Sequence, residues 1–350
     1  MLIASAKVGN FFLLPNFFKE KFYFFTIFVA VLIKYLIYIM ILTWLILIIG
    51  FIMITSGATW LTNGSAAVAQ RLKISEYIIG MTIVAVGTSL PELTVSVAST
   101  FAGSADMAIG NVVGSNIFNT LFILGICALI RPVSFTRNNL RVDIWLCLAV
   151  TIALVAMLWG GRLSRVEGIA MVLCYIAVLY FSIKLGKKEV IEEDTPQENS
   201  NFSWLKSLLL IILGFVALVY GANITLDSAI SIARNIGISE RVIGITLLAG
   251  GTSLPELAAS LVAVARGHGA LALGNVIGSN IANILLILGS CATISPLAMG
   301  GITYIDLGVM FGSAMLLAIS ARLFGHRVIT RMEAVVFLAA YVLYIWYLID

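Results

Sequence analysis

The sequence predicts an all-α integral membrane protein with ten transmembrane helices, arranged as two inverted five-helix repeats. Three observations support this fold class: an apolar composition, regularly placed apolar stretches, and a pair of motifs that occurs twice. Of the 350 residues, 61% are hydrophobic and 11% are charged, and the mean hydropathy is +1.08. Soluble domains carry roughly 25% charged residues, so this composition indicates a chain that lies mostly in a lipid bilayer.

A helix needs about 20 predominantly apolar residues to cross the hydrocarbon layer of a membrane. Five stretches of this kind occur in each half of the chain. They lie at about residues 41–68, 76–101, 106–130, 142–160, 166–185, 205–233, 241–265, 270–294, 304–322 and 332–349. Because five is an odd number, the second half must enter the membrane from the opposite side, so we expect the two repeats to be inverted.

The charges in the loops predict the orientation of the chain. Lysine and arginine concentrate in cytoplasmic loops. The loops after the odd-numbered spans contain thirteen of these residues and the loops on the other side contain four, if the four lysines before residue 41 are set aside. We therefore expect residue 40 and the C-terminal Asp350 to lie on the outer side of the cell (inner) membrane, and the loop after the fifth span to lie in the cytoplasm.

The domain organisation follows from the same duplication. Residues 41–185 form the first repeat, 204–350 form the second, and the polar segment 186–203 is expected to be a cytoplasmic linker. Residues 1–40 have no counterpart in the second half. Met40 would open the first repeat cleanly, so we consider a mis-assigned start, an extra N-terminal helix or an uncleaved signal-like segment, and assign this extension no function.

Two motifs occur in both halves at one constant offset along the chain. The segment Gly80–Glu92 returns as Gly244–Glu256, and Gly110–Asn119 returns as Gly274–Asn283. Each copy of the first motif places one carboxylate inside an apolar helix that is broken by glycine and proline. An ionisable group in hydrocarbon usually marks an ion pathway, and paired interrupted helices in corresponding halves indicate a transporter's binding site.

The two carboxylates of Glu92 and Glu256 need a positive partner. Spans two, three, seven and eight contain no lysine, arginine or histidine except at the two boundaries of span seven, where Arg241 and Arg266 lie. We therefore expect a bound metal ion to supply the missing positive charge. The absence of a basic group in these spans also argues against a hydrolase built on Ser89 or Ser253, because a nucleophilic serine needs a neighbouring base, so we expect no enzyme activity.

Oxygen atoms surround each glutamate in the pattern. Helical spacing places one alanine and one threonine on the same face as each glutamate, and the second motif pairs a serine with an asparagine four residues later. The candidate ligands are Ala85, Thr88, Ser89, Glu92, Ser115 and Asn119 in the first half, and Ala249, Thr252, Ser253, Glu256, Ser279 and Asn283 in the second. Pro91 and Pro255 have no backbone N–H, so they also free the carbonyls of Gly87 and Gly251. Such an all-oxygen set suits a hard cation, and Ca²⁺ takes about 6–8 oxygen ligands.

Other features have structural interpretations. Asn116 and Asn280 are expected to form interhelical hydrogen bonds rather than to bind an ion. Glycines in the second motif are expected to allow close approach of helices. The four cysteines lie within apolar spans without paired spacing, which predicts neither a disulfide framework nor a zinc site. No cofactor and no nucleic-acid partner are expected.

These motifs resemble those of the cation/calcium exchanger superfamily, and the chain looks like a prokaryotic sodium/calcium exchanger with two inverted alpha-repeats. In that superfamily the repeats carry Gly-Thr-Ser-x-Pro-Glu and Gly-Ser-Asn-x-x-Asn/Asp signatures, and the match covers about residues 41–350. The resemblance implies a core of spans two, three, seven and eight, against which spans one and six slide. It also implies cation ligands at the twelve positions named above, with the backbone carbonyls of Ala85 and Ala249 at sodium sites.

The resemblance implies a secondary active antiporter that exchanges Na⁺ for Ca²⁺ across the bilayer by alternating access. Several relatives, including potassium-dependent ones, carry Asp where this chain has Asn283, so the asparagine favours an exchanger that does not need potassium. The Gly-Asn-x-x-Glu motif of the proton/calcium branch is absent. A proton-coupled or potassium-dependent antiporter of the same fold remains the alternative, and a passive cation channel is a more remote one.

Overall fold

The computed structural model describes residues 16–104, 106–134, 142–189, 202–238, 249–323 and 328–349. Nearly all of these residues are helical. Three expectations fall partly or wholly outside the described residues: the first part of the seventh span at 241–248, the middle of the linker at 190–201, and the position of Asp350.

Eleven helices carry the described fold, joined by four very short strands. The helices are α1 (Asn16–Leu72), α2 (Glu76–Thr88), α3 (Leu90–Phe101), α4 (Met107–Ile130), α5 (Ile144–Leu158), α6 (Arg165–Glu189), α7 (Trp204–Asn235), α8 (Leu254–Ala265), α9 (Gly269–Ile294), α10 (Tyr304–Leu323) and α11 (Arg331–Ile349). The strands are β1 (Val133–Ser134), β2 (Arg162–Leu163), β3 (Leu297–Ala298) and β4 (Val328–Ile329).

Seven of the described helices are long and apolar enough to cross a membrane: α1, α4, α6, α7, α9, α10 and α11. The pair α2 and α3, which is bent by 43°, makes an eighth if it counts as one span. The fourth and seventh expected spans hold shorter apolar helices, α5 with 15 residues and α8 with 12 residues. The described residues therefore form a mostly helical chain with seven or eight candidate spans, rather than ten of full length.

Helix α1 is longer than the first expected span. It runs without interruption for 57 residues, from Asn16 to Leu72, and no glycine or proline separates the extension from the first span, since none occurs between Asn16 and Ile49. The described part of the N-terminal extension thus continues directly into the first span, instead of forming a separate helix. Its aromatic side chains, including Phe24 and Phe25, are largely exposed.

The second motif lies on the most buried helices. In the most apolar 18-residue stretch of α9, 94% is buried inside the protein, and in the corresponding stretch of α4 the buried share is 72%. The corresponding shares are 17% for α1, 22% for α6 and 11% for α11. Helices α4 and α9 therefore form the centre of the bundle, and the apolar surfaces of α1, α6 and α11 face outward.

Helices α1 and α7 cross at close range through glycines. The position of a Cβ at Gly57 is 2.8 Å from the carbonyl oxygen of Gly214, and a Cβ at Gly221 would be 3.0 Å from the carbonyl oxygen of Gly50. Gly50 and Gly57 occupy the same places in the first repeat as Gly214 and Gly221 in the second, so equivalent helices of the two halves meet through equivalent glycines. Small residues allow this backbone contact between membrane helices.

The short strands also join the two halves of the chain. Strand β1 pairs with β4 in an antiparallel register that places Val133 opposite Ile329. Strand β2 pairs with β3 in the same manner, with Arg162 opposite Ala298. Each half therefore contributes one strand to each pair, and these contacts hold the loops of one half against those of the other.

We expect Gly57→Ala to destabilise the protein and Gly308→Ala to be tolerated. The new methyl group at residue 57 would overlap the backbone of α7, and overpacking of this kind costs about 1–3 kcal/mol. Gly308 lies on α10, and no described atom is within 4 Å of its Cβ position. Thermal unfolding of both purified variants in detergent checks this expectation. Equal melting temperatures for the two variants would contradict the role of the glycine crossing.

Candidate cation site

The first motif breaks a helix where the sequence places Ser89-Leu90-Pro91. Helix α2 ends at Thr88, and Ser89 has φ −85° and ψ 8°, outside the ordinary helical geometry. Helix α3 then starts at Leu90, with Pro91 in its first turn. Proline is favoured in that turn because the N–H it lacks would have no helical partner there. The break therefore starts a new helix just before Glu92.

The second copy of the motif breaks the chain in the same way. Ser253 has φ −89° and ψ 9°, and α8 begins at Leu254 with Pro255 in its first turn. A short helical turn, Ala249–Gly251, precedes this break. The backbone angles at the two serines are nearly the same, so the repeated sequence produces a repeated local structure.

The two breaks exchange hydrogen bonds through their glutamates. Ser253 Oγ donates to Glu92 Oε1 at 2.9 Å, and Ser89 Oγ donates to Glu256 Oε1 at 2.8 Å. Both glutamates are fully buried, with 0% of their surface exposed. Each lies in the first turn of its helix, where the helix dipole favours a negative charge. Because each carboxylate is held by the opposite half, the two carboxylates belong to one site.

Several buried polar atoms of this site have no hydrogen-bond partner among the described residues. They are the second carboxylate oxygens of Glu92 and Glu256, the hydroxyl of Ser279, both amide atoms of Asn119, and the amide oxygen of Asn283. An unpaired buried polar group costs about 1–3 kcal/mol, and more if it is charged. Five of these atoms are oxygens, the type of ligand atom that a hard cation takes.

No basic side chain among the described residues pairs with either glutamate. Glu76 pairs instead with His268, with 2.9 Å between Oε1 and Nδ1, at the starts of α2 and α9. The described residues also contain no cluster of three or more His, Cys, Asp or Glu side chains. A cation here would therefore be held by two carboxylates together with hydroxyl, amide and carbonyl oxygens, which is the donor set of a hard ion.

The structure brings most of the expected ligands together. Thr88, Ser89, Thr252 and Ser253 flank the two breaks, and Ser115 Oγ lies 3.1 Å from Ser253 Oγ, to which it can donate because the Ser253 proton is directed at Glu92. The carbonyl oxygen of Ala85 accepts a hydrogen bond from the backbone N–H of Ser89 at 3.0 Å. Ala249 opens the turn before the second break, and the chain that precedes it lies outside the described residues.

Two asparagines of the second motif, Asn116 and Asn280, form the interhelical hydrogen bonds that the sequence predicts. Asn116 Nδ2 donates to the carbonyl oxygen of Asn280 at 3.2 Å, and Asn280 Nδ2 donates to Thr120 Oγ1 at 2.8 Å. The expected interhelical hydrogen bonds are thus confirmed. Asn283 departs from the symmetry, because its amide donates to Asn116 Oδ1 at 3.0 Å whereas the amide of Asn119 has no described partner.

Glycines of the second motif allow the close approach that the sequence predicts in the second half. A Cβ at Gly274 would lie 2.1 Å from the carbonyl oxygen of Tyr77, and one at Gly278 would lie 2.5 Å from that of Met81. The backbone of α9 therefore rests directly on α2. The equivalent segment facing Gly110 and Gly114 is 241–245, which lies outside the described residues.

Four polar residues of the site were missed by the sequence reasoning. Asn111 and Asn275 bridge the two halves, and each donates to a serine of its own half, Ser96 or Ser260, at 2.9 Å. The available signal was the repeated Gly-Asn pair that opens the second motif. Ser96 and Ser260 are also equivalent positions of the two repeats, but they fall outside both motifs, and the sequence does not show that they face an asparagine.

A bundle of apolar helices with two broken helices and a buried pair of carboxylates defines a membrane transporter of cations. The family model described as "Sodium/calcium exchanger protein" matches residues 42–184 and 206–349. The chain belongs to this family, whose members are transporters rather than enzymes. As a member, it is a multi-pass membrane protein of the cation/calcium antiporter class.

Individual relatives match over most of their length. The chain is 32% identical to sodium/calcium exchanger MaX1 of Methanosarcina acetivorans over 79% of this chain and 88% of that one. It is 34% identical to inner membrane protein YrbG of Escherichia coli over 73% and 81% of the two chains. A solved structure of the sodium-calcium exchanger NCX_Mj, soaked with zero Na⁺ and Ca²⁺, aligns with a TM-score of 0.77 at 33% identity and covers 88% and 99% of the two chains.

We expect Ca²⁺ to raise the melting temperature of the purified protein and to lose this effect in Glu92→Gln and in Glu256→Gln. A ligand at 100 times its dissociation constant stabilises the folded state by about 2.7 kcal/mol, and each substitution removes half of the charge that binds it. Thermal unfolding with and without CaCl₂ is the measurement.

Glu333→Gln is the matched control for these variants. Glu333 is also buried, but its carboxylate accepts a hydrogen bond from the Thr330 backbone N–H at the start of α11, away from the site. This variant should keep the full Ca²⁺-dependent shift. An undiminished shift in either site variant would show that its glutamate does not hold the ion.

Proposed function

We propose that this protein is a secondary active antiporter that exchanges Na⁺ for Ca²⁺ across the membrane by alternating access. The observation that carries the proposal is the reciprocal pair of hydrogen bonds from Ser89 to Glu256 and from Ser253 to Glu92, which leaves one oxygen of each buried carboxylate unpaired. Such a site has a charge of −2 when both groups are ionised, and no basic side chain among the described residues neutralises it.

The charge of the site explains the exchange. One Ca²⁺ neutralises both carboxylates, and several Na⁺ ions in overlapping positions do the same. The ligands we propose are those named from the sequence: Glu92, Glu256, Thr88, Thr252, Ser89, Ser253, Ser115, Ser279, Asn119, Asn283 and the carbonyls of Ala85 and Ala249. Because the two kinds of ion use the same carboxylates, binding of one excludes the other, and release of Ca²⁺ is coupled to entry of Na⁺.

Sodium is favoured as the coupling ion by the chemistry at residue 283 and by two relatives. Asn283 is neutral, so it adds no third carboxylate for an additional cation. MaX1 is named a sodium/calcium exchanger, and NCX_Mj is described as one. These observations support Na⁺ as the counter-ion without potassium, and the transport experiment below separates Na⁺ from H⁺ and K⁺.

We further propose ten spans in two inverted halves, with residue 40 and the C-terminus outside the membrane and the 186–203 linker in the cytoplasm. The loop charges support this topology, and so do the hydrogen bonds that recur at equivalent positions around Glu92 and Glu256. Helix α5 would be the fourth span. Helix α8 would complete the seventh span, together with the preceding residues.

On this topology, equivalent polar residues of the two halves differ in exposure. Asn111 and Thr252 are half-buried, whereas their counterparts Asn275 and Thr88 are 1% and 0% exposed. Asn111 would lie near the outer end of α4 and Asn275 near the inner end of α9, so the more exposed asparagine of this pair would be on the outer side. Movement of the α1–α7 pair across the core would open the site to one side at a time.

We expect ⁴⁵Ca²⁺ to enter Na⁺-loaded proteoliposomes after dilution into buffer free of sodium and potassium. The outward sodium gradient drives the uptake, so vesicles with equal Na⁺ on both sides should take up only the background amount. Glu92→Gln and Glu256→Gln should reduce uptake to that of protein-free vesicles, since each removes one of the two charges that the ions neutralise. Glu333→Gln should transport normally.

Two results would contradict this function. Uptake that is driven by an imposed proton gradient, or that requires K⁺, and that does not depend on Na⁺ would show that the coupling ion is not Na⁺. Uptake without any counter-ion gradient would indicate a passive channel. Near-normal sodium-driven exchange by both glutamate variants would instead remove the proposed site while leaving the transport activity in place.

A further inference from the structure

We infer that Asn111 and Asn275 are positioning residues, each of which orients the ion-binding threonine of the opposite half of the chain. This inference rests on the proposed cation site, and it assigns these two side chains a role in cation affinity without direct contact with the ion. Neither residue was among the ligands expected from the sequence.

Asn275 connects three polar groups from two helices. Its Nδ2 donates to Ser260 Oγ at 2.9 Å and lies 3.3 Å from the carbonyl oxygen of Glu256, both on α8. Its Oδ1 accepts from the hydroxyl of Thr88 at 3.1 Å. Asn275 thus connects the helix that carries one carboxylate to the end of α2, just before the break that precedes the other carboxylate.

Asn111 makes the same contacts in the other direction. Its Nδ2 donates to Ser96 Oγ at 2.9 Å and lies 3.3 Å from the carbonyl oxygen of Glu92 on α3. Its Oδ1 accepts from the hydroxyl of Thr252 at 3.3 Å. Both distances from Nδ2 are the same as those of Asn275, so the bridge is a repeated feature of the fold.

The direction of the threonine hydrogen bond follows from the rest of the bridge. A backbone carbonyl only accepts hydrogen bonds, so the amide nitrogen must face the carbonyl of Glu256 and the amide oxygen must face Thr88. The threonine hydroxyl is therefore the donor. With its proton committed to the amide oxygen, its lone pairs are free for a cation.

Without Asn275, the hydroxyl of Thr88 has a different acceptor. Thr88 Oγ1 lies 3.3 Å from the carbonyl oxygen of Ala85 on its own helix. A hydroxyl that donates to this carbonyl turns its lone pairs in another direction and occupies a carbonyl that is itself a proposed sodium ligand. Asn275 therefore keeps two ligand atoms available, although it binds neither ion.

A crossed double-mutant cycle tests this inference. Asn275→Ala and Asn111→Ala are each combined with Thr88→Val and with Thr252→Val, and the dissociation constant for Ca²⁺ is measured by calorimetry on the purified full-length protein, with CaCl₂ as the titrant. Each asparagine variant alone should weaken binding about three- to tenfold, the range expected for one hydrogen bond. Asn63→Ala, which alters an asparagine that accepts from Arg266, should bind Ca²⁺ like the unaltered protein.

The pairing across the halves is the decisive result. Asn275→Ala should add little to Thr88→Val but should multiply the effect of Thr252→Val, and Asn111→Ala should show the reverse pattern. Equal coupling with both threonines, coupling within the same half only, or multiplicative effects in all four combinations would overturn the inference. If the alanine variants do not fold, Asn275→Leu and Asn111→Leu keep the branched shape of the side chain without its hydrogen bonds and give the same cycle.

The cycle also separates this inference from the proposed function. Protein that binds Ca²⁺ but shows no sodium-driven flux refutes Na⁺/Ca²⁺ exchange, while the dissociation constants still decide the role of the asparagines. Unaltered protein that binds no Ca²⁺ refutes both. A crossed pattern in binding should also appear in transport, as a higher half-saturating Ca²⁺ concentration at a similar maximal rate.

Discussion

Each buried carboxylate is held by a serine from the opposite half of the chain, and the rest of the site depends on this exchange. Glu92 and Glu256 would be costly in an apolar interior if each stood alone. The bonds from Ser253 and Ser89 fix one oxygen of each carboxylate and leave the other unpaired. The breaks at the prolines, the glycine contacts between α2 and α9, and the asparagine bridges all serve to hold these two groups at one place.

This arrangement connects ion binding to movement. A site of two buried negative charges is unfavourable when empty and favourable when a cation neutralises it, so passage through a closed state is easiest with ions bound. Helices α1 and α7 lie against each other through Gly57 and Gly214, with small contacts that suit a pair moving as a unit. Under the proposed function, coupling between Na⁺ and Ca²⁺ would follow from competition of the two ions for one site.

The sequence predicted the parts of this site that appear as local patterns. A broken helix follows from Gly-Thr-Ser-Leu-Pro-Glu, and interhelical bonding of Asn116 and Asn280 follows from polar side chains in apolar spans. The bridges of Asn111 and Asn275 depend on contacts between residues far apart in the chain, such as Thr252 with Asn111, and no local pattern reports them. The length of α1 was also missed, because hydropathy shows where a span could start but not where a continuous helix begins.

Equilibrium binding of ⁴⁵Ca²⁺ to the purified protein tests most directly whether both halves build one cation site. Counting bound ions per chain at saturation should give one Ca²⁺ for the unaltered protein, displaced completely by Na⁺. Because the site needs both carboxylates, Glu92→Gln and Glu256→Gln should each remove this binding entirely. Two bound ions per chain, with one lost in each single variant, would show that each half carries an independent site and would contradict a single site shared by the two halves.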